Sequence, residues 1–210
     1  MTDTETTDVM QHPIVVTAME FMINAHRNHA LKPDPELGGQ RRKYSKAHYE
    51  VHPIQVAKMV SRSIHNDPVT IAVALMHDTI EDTTTTGSHI GAAFAKFGSE
   101  ICQDIVAGVY EVSDVSTLAD GNRKVRKELD KLHSWNATPE RQTVKLADMK
   151  SNMPSIVAND PGFARKWVAE KKEQWEGFTK GDPKLYEDMR KMFERYYMGM
   201  SVKEPEWDLV

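Results

Sequence analysis

Apolar side chains recur along this chain at three- and four-residue intervals, with no convincing alternation over a strand's length, so the pattern predicts helices throughout. Residues 13–30 carry Val15, Ala18, Met19, Met22 and Ile23 at helical spacing and end before KPDPELGG, which reads as a loop. Pro53 suits the first turn of a helix through Val56, Ala57 and Val60. Pro68 opens another, whose residues 71–76 are almost wholly apolar and therefore buried. A helix with Ile90, Ala93, Phe94 and Phe97 stops at Gly98, and the next runs from Glu100 through Val109. GNRKVRKELDKLH is highly charged with sparse apolar positions, the pattern of a solvated helix or a connector. Thr138-Pro139-Glu140 starts a helix through ERQTVKLADMKSNM, which Pro154 is placed to shorten. Two further helices, around 163–178 and 183–198, carry Trp167, Trp175, Tyr186, Phe193 and Tyr197 as anchors. There is no internal repeat.

At 210 residues the chain makes one domain, expected over 11–198, with a disordered start at 1–10 and a loosely held tail at 199–210 where Trp207 could dock. A net charge of −4 offers no global field for polyanions, which argues against a nucleic-acid polymer and leaves room for a small anion at a local basic cluster. Cys102 stands alone, so an intrachain disulfide and a Cys-rich zinc site are excluded, in keeping with a reducing cytosol. Residues 1–8 lack the basic and apolar regions of a signal peptide, and no apolar run nears the roughly 20 residues that span a bilayer. The expected location is cytoplasmic; homo-oligomerisation stays open.

The chemistry concentrates in AVALMHDTIEDTTTT, where His77 and Asp78 are followed by Glu81 and Asp82. On one continuous helix Glu81 would lie over His77 and Asp78, with Asp82 one turn beyond Asp78. Carboxylates at the end of a buried helix repel one another unless a cation intervenes. His52, before Pro53, and Asp148, in VKLAD, add a second imidazole and another carboxylate from two further helices, the way an inward-facing site is assembled in a helical bundle. Such a nitrogen and oxygen set without thiolate suits Mn²⁺, Fe²⁺ or Co²⁺. Arg41-Arg42-Lys43 reads as a solvated charge run or, just before the His52 helix, as a ligand contact. His12, His26, His29, His48, His65, His89 and His133 read as surface or packing residues, and the Met and Trp residues as core.

GQRRK at 39–43, YEVHPIQVA at 49–57, ALMHDTIEDT at 74–83 and VKLADMKSNM at 144–153 together resemble the HD-domain phosphohydrolases. Within them the likeness is to the hydrolase domain of the RelA/SpoT type, including small stand-alone alarmone hydrolases. It covers nearly the whole chain apart from its ends. The resemblance implies an all-α bundle of about ten helices and Mn²⁺, or another divalent first-row ion, held by His52, His77, Asp78 and Asp148. It gives Glu81 and Asp82 the catalytic role without separating them. The Arg-Lys it matches contacts the nucleotide; we assign Arg42 to base stacking and Lys43 to phosphate, with Arg41 beside them. Asn152, four residues after Asp148, and Lys145, three before it, share that ligand's helical face and are expected to bind substrate. His29 and Tyr49 also match family positions.

The implied activity is Mn²⁺-dependent removal of the 3′-diphosphate from guanosine tetra- or pentaphosphate, giving GDP or GTP and pyrophosphate. Where the family continues Arg-Leu-His-Asn after its Lys-Leu-Ala-Asp, this chain has Met149-Lys150-Ser151-Asn152, and the loop at 31–39 is longer than expected. These departures bear on substrate choice. The alternatives are an NADPH phosphatase, a deoxynucleotide hydrolase, or a non-catalytic nucleotide-binding module.

Overall fold

The helix at the centre is the one whose sequence has no polar face. In this computed structural model, which describes residues 8–202, α3 (Pro68–Met76) is buried from Thr70 onward. Pro68 takes the first turn and Asp67 caps it, accepting from the backbone N–H groups of Val69 and Thr70. Around α3 pack α1 (Pro13–Asn28), α2 (Val51–Val60), α6 (Ser99–Val112) and α8 (Pro139–Asn159). Apolar side chains of all five join one core, with Met22, Leu75, Ile105 and Leu146 fully excluded from water. Burying each such side chain contributes about 1.5–3 kcal/mol.

Around this centre lie α5 (Gly87–Phe94), against α6, and α7 (Arg123–Asn136), α9 (Pro161–Trp175) and α10 (Pro183–Tyr197), which close the far side. With the single turn α4 (Thr79–Asp82) the described residues hold ten α-helices, three short 3-10 turns and two isolated bridges, but no strand. The all-α expectation is met. The charged segment expected as a solvated helix or connector is α7, capped by Asn122.

Several boundaries differ from the expectations. Pro154 does not shorten the Asp148 helix: α8 continues to Asn159, because a proline removes only one hydrogen bond and Pro154 is itself buried beside the core residue Met153. Asp8 caps a 3-10 turn at Val9–Gln11, and Val9 and Met10 pack on the core, so order begins before residue 11. At the other end Val202 is buried against the core, inside the segment expected to be loose from 199. The expectations for 1–7 and 203–210, Trp207 included, lie outside the described residues.

The long connection between α1 and α2 is a strap tied at both ends. Leu31 N–H donates to the Asp82 carbonyl and Thr84 N–H to that of His29, while Gln40 N–H donates to the His26 carbonyl. Its turn uses Gly38 and Gly39 at positive φ; at Gly39 a Cβ would also come within 3.1 Å of the Arg27 carbonyl oxygen, so glycine is favoured there.

Candidate metal and nucleotide site

Four side chains converge where α2, α3 and α8 meet. His52 enters in the first turn of α2, His77 is the residue on which α3 ends, Asp78 starts the next turn, and Asp148 projects from the middle of α8. His52 Nε2 and His77 Nε2 lie 3.2 Å apart. Asp78 Oδ2 is 3.0 Å from His77 Nε2, and Asp148 Oδ1 is 3.1 Å from His52 Nε2. Both imidazoles are buried.

Their outer nitrogens are engaged elsewhere. His77 Nδ1 donates to the Ala74 carbonyl at 2.8 Å. His52 Nδ1 meets Ser151 Oγ at 2.9 Å, and that hydroxyl donates onward to Gln55 Oε1. Each ring is thereby fixed with its Nε2 lone pair toward the centre. Two lone pairs and two carboxylates facing one another in a buried space require a positive charge, and a divalent first-row ion fits this donor set. Without one a proton takes its place: burial opposes protonation of His77, yet Asp78 and Asp148 raise its pKa well above the ordinary value. The same attraction outweighs burial and holds both carboxylates well below their usual range.

Glu81 and Asp82 do not continue α3. The chain turns at His77 and Asp78, where the Thr79 hydroxyl donates to the Met76 carbonyl at 2.7 Å, and α4 restarts at Thr79. The expected stacking of Glu81 over His77 on one helix is therefore replaced by a break that sends the two acids apart. Glu81 Oε1 accepts from Asp114 N–H at 2.8 Å, on the side of α6 and α7. Asp82 Oδ2 accepts from Gln40 Nε2 at 2.7 Å, on the side of the strap. Crowding by protein raises the Glu81 carboxyl to about 7, against the pull of Lys145. Burial, then the charge of Asp78, raises Asp82 as well.

The residues expected at the substrate divide. Arg42 and Asn152 come together: Arg42 Nη2 donates to Asn152 Oδ1 at 2.9 Å, and Asn152 Nδ2 to Asp148 Oδ1 at 2.7 Å. Lys145 is buried, donating to the Val112 carbonyl at 2.8 Å. Burial works against its charge, but Asp148, Glu81 and Asp114 keep it cationic. Arg41 folds back on the carbonyls of Leu37 and Gly38, and Lys43 pairs with Asp160 at 3.0 Å, so neither reaches the cluster. His29 caps the end of α1 and is exposed.

Sequence reasoning passed over several contacts. Tyr49, expected only to line the pocket or pack, donates from Oη to Asp78 Oδ2 at 2.5 Å. His26, read as surface or packing, is fully buried and bonds Gln40. Ser151, noted only as a departure, is the partner of His52. GQRRK drew the eye to its cations, and no spacing rule links Gln40 to an acid 42 positions away. Beyond Glu81 opens a cavity of about 250 Å³, lined by Asp114, Arg123, Lys127, Trp167 and Lys171 among others. Lys171 bonds Gln174 Oε1 and forms no ion pair among the described residues.

The HD domain profile matches residues 30–171. The chain is 31% identical over 159 residues to guanosine-3′,5′-bis(diphosphate) 3′-pyrophosphohydrolase MESH1 of Xenopus tropicalis, covering 75% of this chain and 78% of that one. It is 30% identical over 186 residues to the protein of the same name from Mus musculus, covering 86% and 93%. GTP pyrophosphokinase rsh of Brucella ovis is 32% identical over 118 residues, which are 56% of this chain and 15% of that longer protein. A solved structure described as a metazoan orthologue of SpoT that hydrolyses ppGpp superposes with a TM-score of 0.69 at 19% identity, covering 88% of this chain and 96% of the other, a likeness of fold. With the profile matching residues 30–171, well over half of its length, this chain belongs to the HD-domain family.

Proposed function

We propose that this protein is a metal-dependent guanosine-3′,5′-bis(diphosphate) 3′-pyrophosphohydrolase, using Mn²⁺ and releasing pyrophosphate from guanosine tetra- or pentaphosphate to leave GDP or GTP. The observation that carries the reading is the convergence of His52, His77, Asp78 and Asp148, flanked on opposite sides by Glu81 and Asp82. The names of the two long-matching relatives support the same substrate.

In this reading the four converging side chains hold the ion. When bound, a divalent cation supplies Lewis-acidic charge that lowers the pKa of water and offsets charge developing on a phosphoryl oxygen. The chain's own groups do the rest. Water attacks the 3′-phosphorus as the bond to the ribose 3′-oxygen breaks. Glu81 or Asp82, each outside the cluster, takes the proton of the attacking water, and the departing 3′-oxygen is protonated in turn. Arg42, 5.9 Å over the Tyr49 ring and bonded to Asn152, offers a planar cation for a purine face. In the cavity beyond Glu81, Arg123 and Lys127 are already paired with Glu170, Asp114 and Asp130, which leaves Lys171 as the one lining cation without an ion pair among the described residues.

Purified protein incubated with Mn²⁺ and guanosine tetraphosphate should release pyrophosphate and GDP, resolved by chromatography; absence of both products under every divalent metal refutes the reading. A second reading keeps the site and changes the substrate to NADPH or a deoxynucleotide. It is favoured by Lys43 and Lys145, two cations expected on substrate, being engaged by Asp160 and Val112. Relative kcat/KM on the three substrates separates the readings.

A further inference from the structure

Gln40 lies outside the metal cluster, yet every polar group it has is committed. Its N–H donates to the His26 carbonyl and its carbonyl accepts from Tyr49 N–H, so the backbone is pinned between the end of α1 and the start of α2. Its side-chain Nε2 donates to Asp82 Oδ2 at 2.7 Å, and its Oε1 meets His26 Nδ1 at 2.6 Å. A carboxylate accepts only, so the amide nitrogen must face Asp82 and the oxygen must face His26, which fixes the donor as His26 Nδ1–H. His26 is fully buried, and its Nε2 has no hydrogen-bond partner among the described residues. The His26 ring packs on that of Tyr49, centroids 4.6 Å apart, and donating from Nδ1 to Gln40 is its polar task. Asp82 is also held through its backbone, whose carbonyl accepts from Leu31 N–H. Glu81 has no contact of this kind with the strap and rests instead on Asp114.

We propose that Gln40 is a positioning residue for Asp82: its amide, oriented by His26, aims the Asp82 carboxylate at the reacting water. This rests on the reading above, in which Asp82 is one of the two carboxylates beside the reacting centre. A free Asp82 side chain can rotate away from the cluster, where the negative charge of Asp78 repels it. A donor on Oδ2 opposes that rotation. The long strap thereby gains a role: its length lets it pair with Leu31 at the backbone of Asp82 and return with Gln40 at the side chain.

Gln40→Met keeps the length of the side chain and removes both polar atoms. With Mn²⁺ and guanosine tetraphosphate, its kcat should fall about 10-fold or more, the scale of one charge-assisted hydrogen bond, while KM and bound Mn²⁺ stay unchanged. The same loss is expected in a Glu81→Gln background and none in Asp82→Asn, read by single-turnover rates. Equal losses in both backgrounds, or a loss confined to KM or metal content, would overturn the proposal. Gln40→Asn, too short to span both partners, serves if the methionine variant does not fold and should show the same split. A further arm needs no turnover. In ¹⁵N-labelled protein loaded with diamagnetic Mg²⁺, the Gln40 amide signal should exchange slowly and shift in both Asp82→Asn and His26→Phe. A fast-exchanging signal indifferent to both refutes the contact. If the signal responds while the parent releases no pyrophosphate, the alarmone reading falls and the positioning contact is supported.

Discussion

His52 Nε2 and His77 Nε2 face each other at 3.2 Å, each with its second nitrogen already hydrogen-bonded to Ser151 or Ala74. The protein thus holds two imidazole lone pairs in contact and brings two carboxylates to them. This arrangement is stable only with positive charge at its centre, so stability and metal binding are linked.

Divalent metal should stabilise the fold. At a hundredfold excess over Kd the gain is about 2.7 kcal/mol, roughly 5–10 °C in melting temperature for a chain of this size. Asp78→Asn should lose both the ion and that increment, whereas Glu81→Gln should keep them. Melting curves with and without Mn²⁺, with metal analysis, check this; an Asp78→Asn protein that binds Mn²⁺ at parent affinity contradicts it.

Glu81→Gln and Asp82→Asn should each lower kcat by roughly 10²-fold or more, the usual scale for general acid–base groups, with the ion retained. Full activity in either variant would remove that residue from the mechanism.

The Glu81 carboxyl, raised to about 7 by its surroundings, gives pH dependence of a defined sign. Its proton is held more tightly in the folded chain than in the unfolded one, so in metal-free protein this group's contribution to stability falls as pH rises from 4.5 through about 7. Glu81→Gln lacks that loss, and its melting temperature relative to the parent should therefore be higher at pH 8 than at pH 5. In the metal-loaded enzyme the base form is the carboxylate, so kcat/KM should rise with pH on a limb at or below about 7, because a cation favours ionisation. The limb should be absent in Glu81→Gln.

Arg42→Ala should raise KM several-fold with little change in kcat, since contact with a base contributes equally to ground and transition states. Lys43→Ala should change KM less, because its amine is exposed and paired with Asp160. Equal effects in the two variants would place Lys43 on the substrate.

Gly177→Ala tests the packing of α7 on α9. A Cβ there would stand 2.0 Å from Trp135 Nε1, which donates to the Gln174 carbonyl at 2.7 Å. Displacing the indole should cost about 1–3 kcal/mol, read as a lowered melting temperature without loss of bound metal.

Sequence alone determined the helices, whose signals are local, and singled out the four side chains that converge, through the strings shared with the HD-domain family. Helical spacing, Pro at first turns and capping residues act within a few positions, and α3 announced its burial by lacking a polar face. His52, His77, Asp78 and Asp148 are expected as a ligand set because the resemblance to the HD-domain family implies one, and their nitrogen and oxygen donors suit a divalent first-row ion. Tertiary structure decided the directions. Glu81 and Asp82 read as one acidic pair on a continuous helix, yet the turn after His77 sends one toward Asp114 and the other toward Gln40. Three adjacent cations read as one cluster, but loop carbonyls take Arg41 and Asp160 takes Lys43, leaving Arg42 to reach Asn152. His26 and Gln40 carry no local signal for Asp82. Only the strap's return across α1 places them there, since a hydrogen bond between distant positions depends on how the whole chain packs.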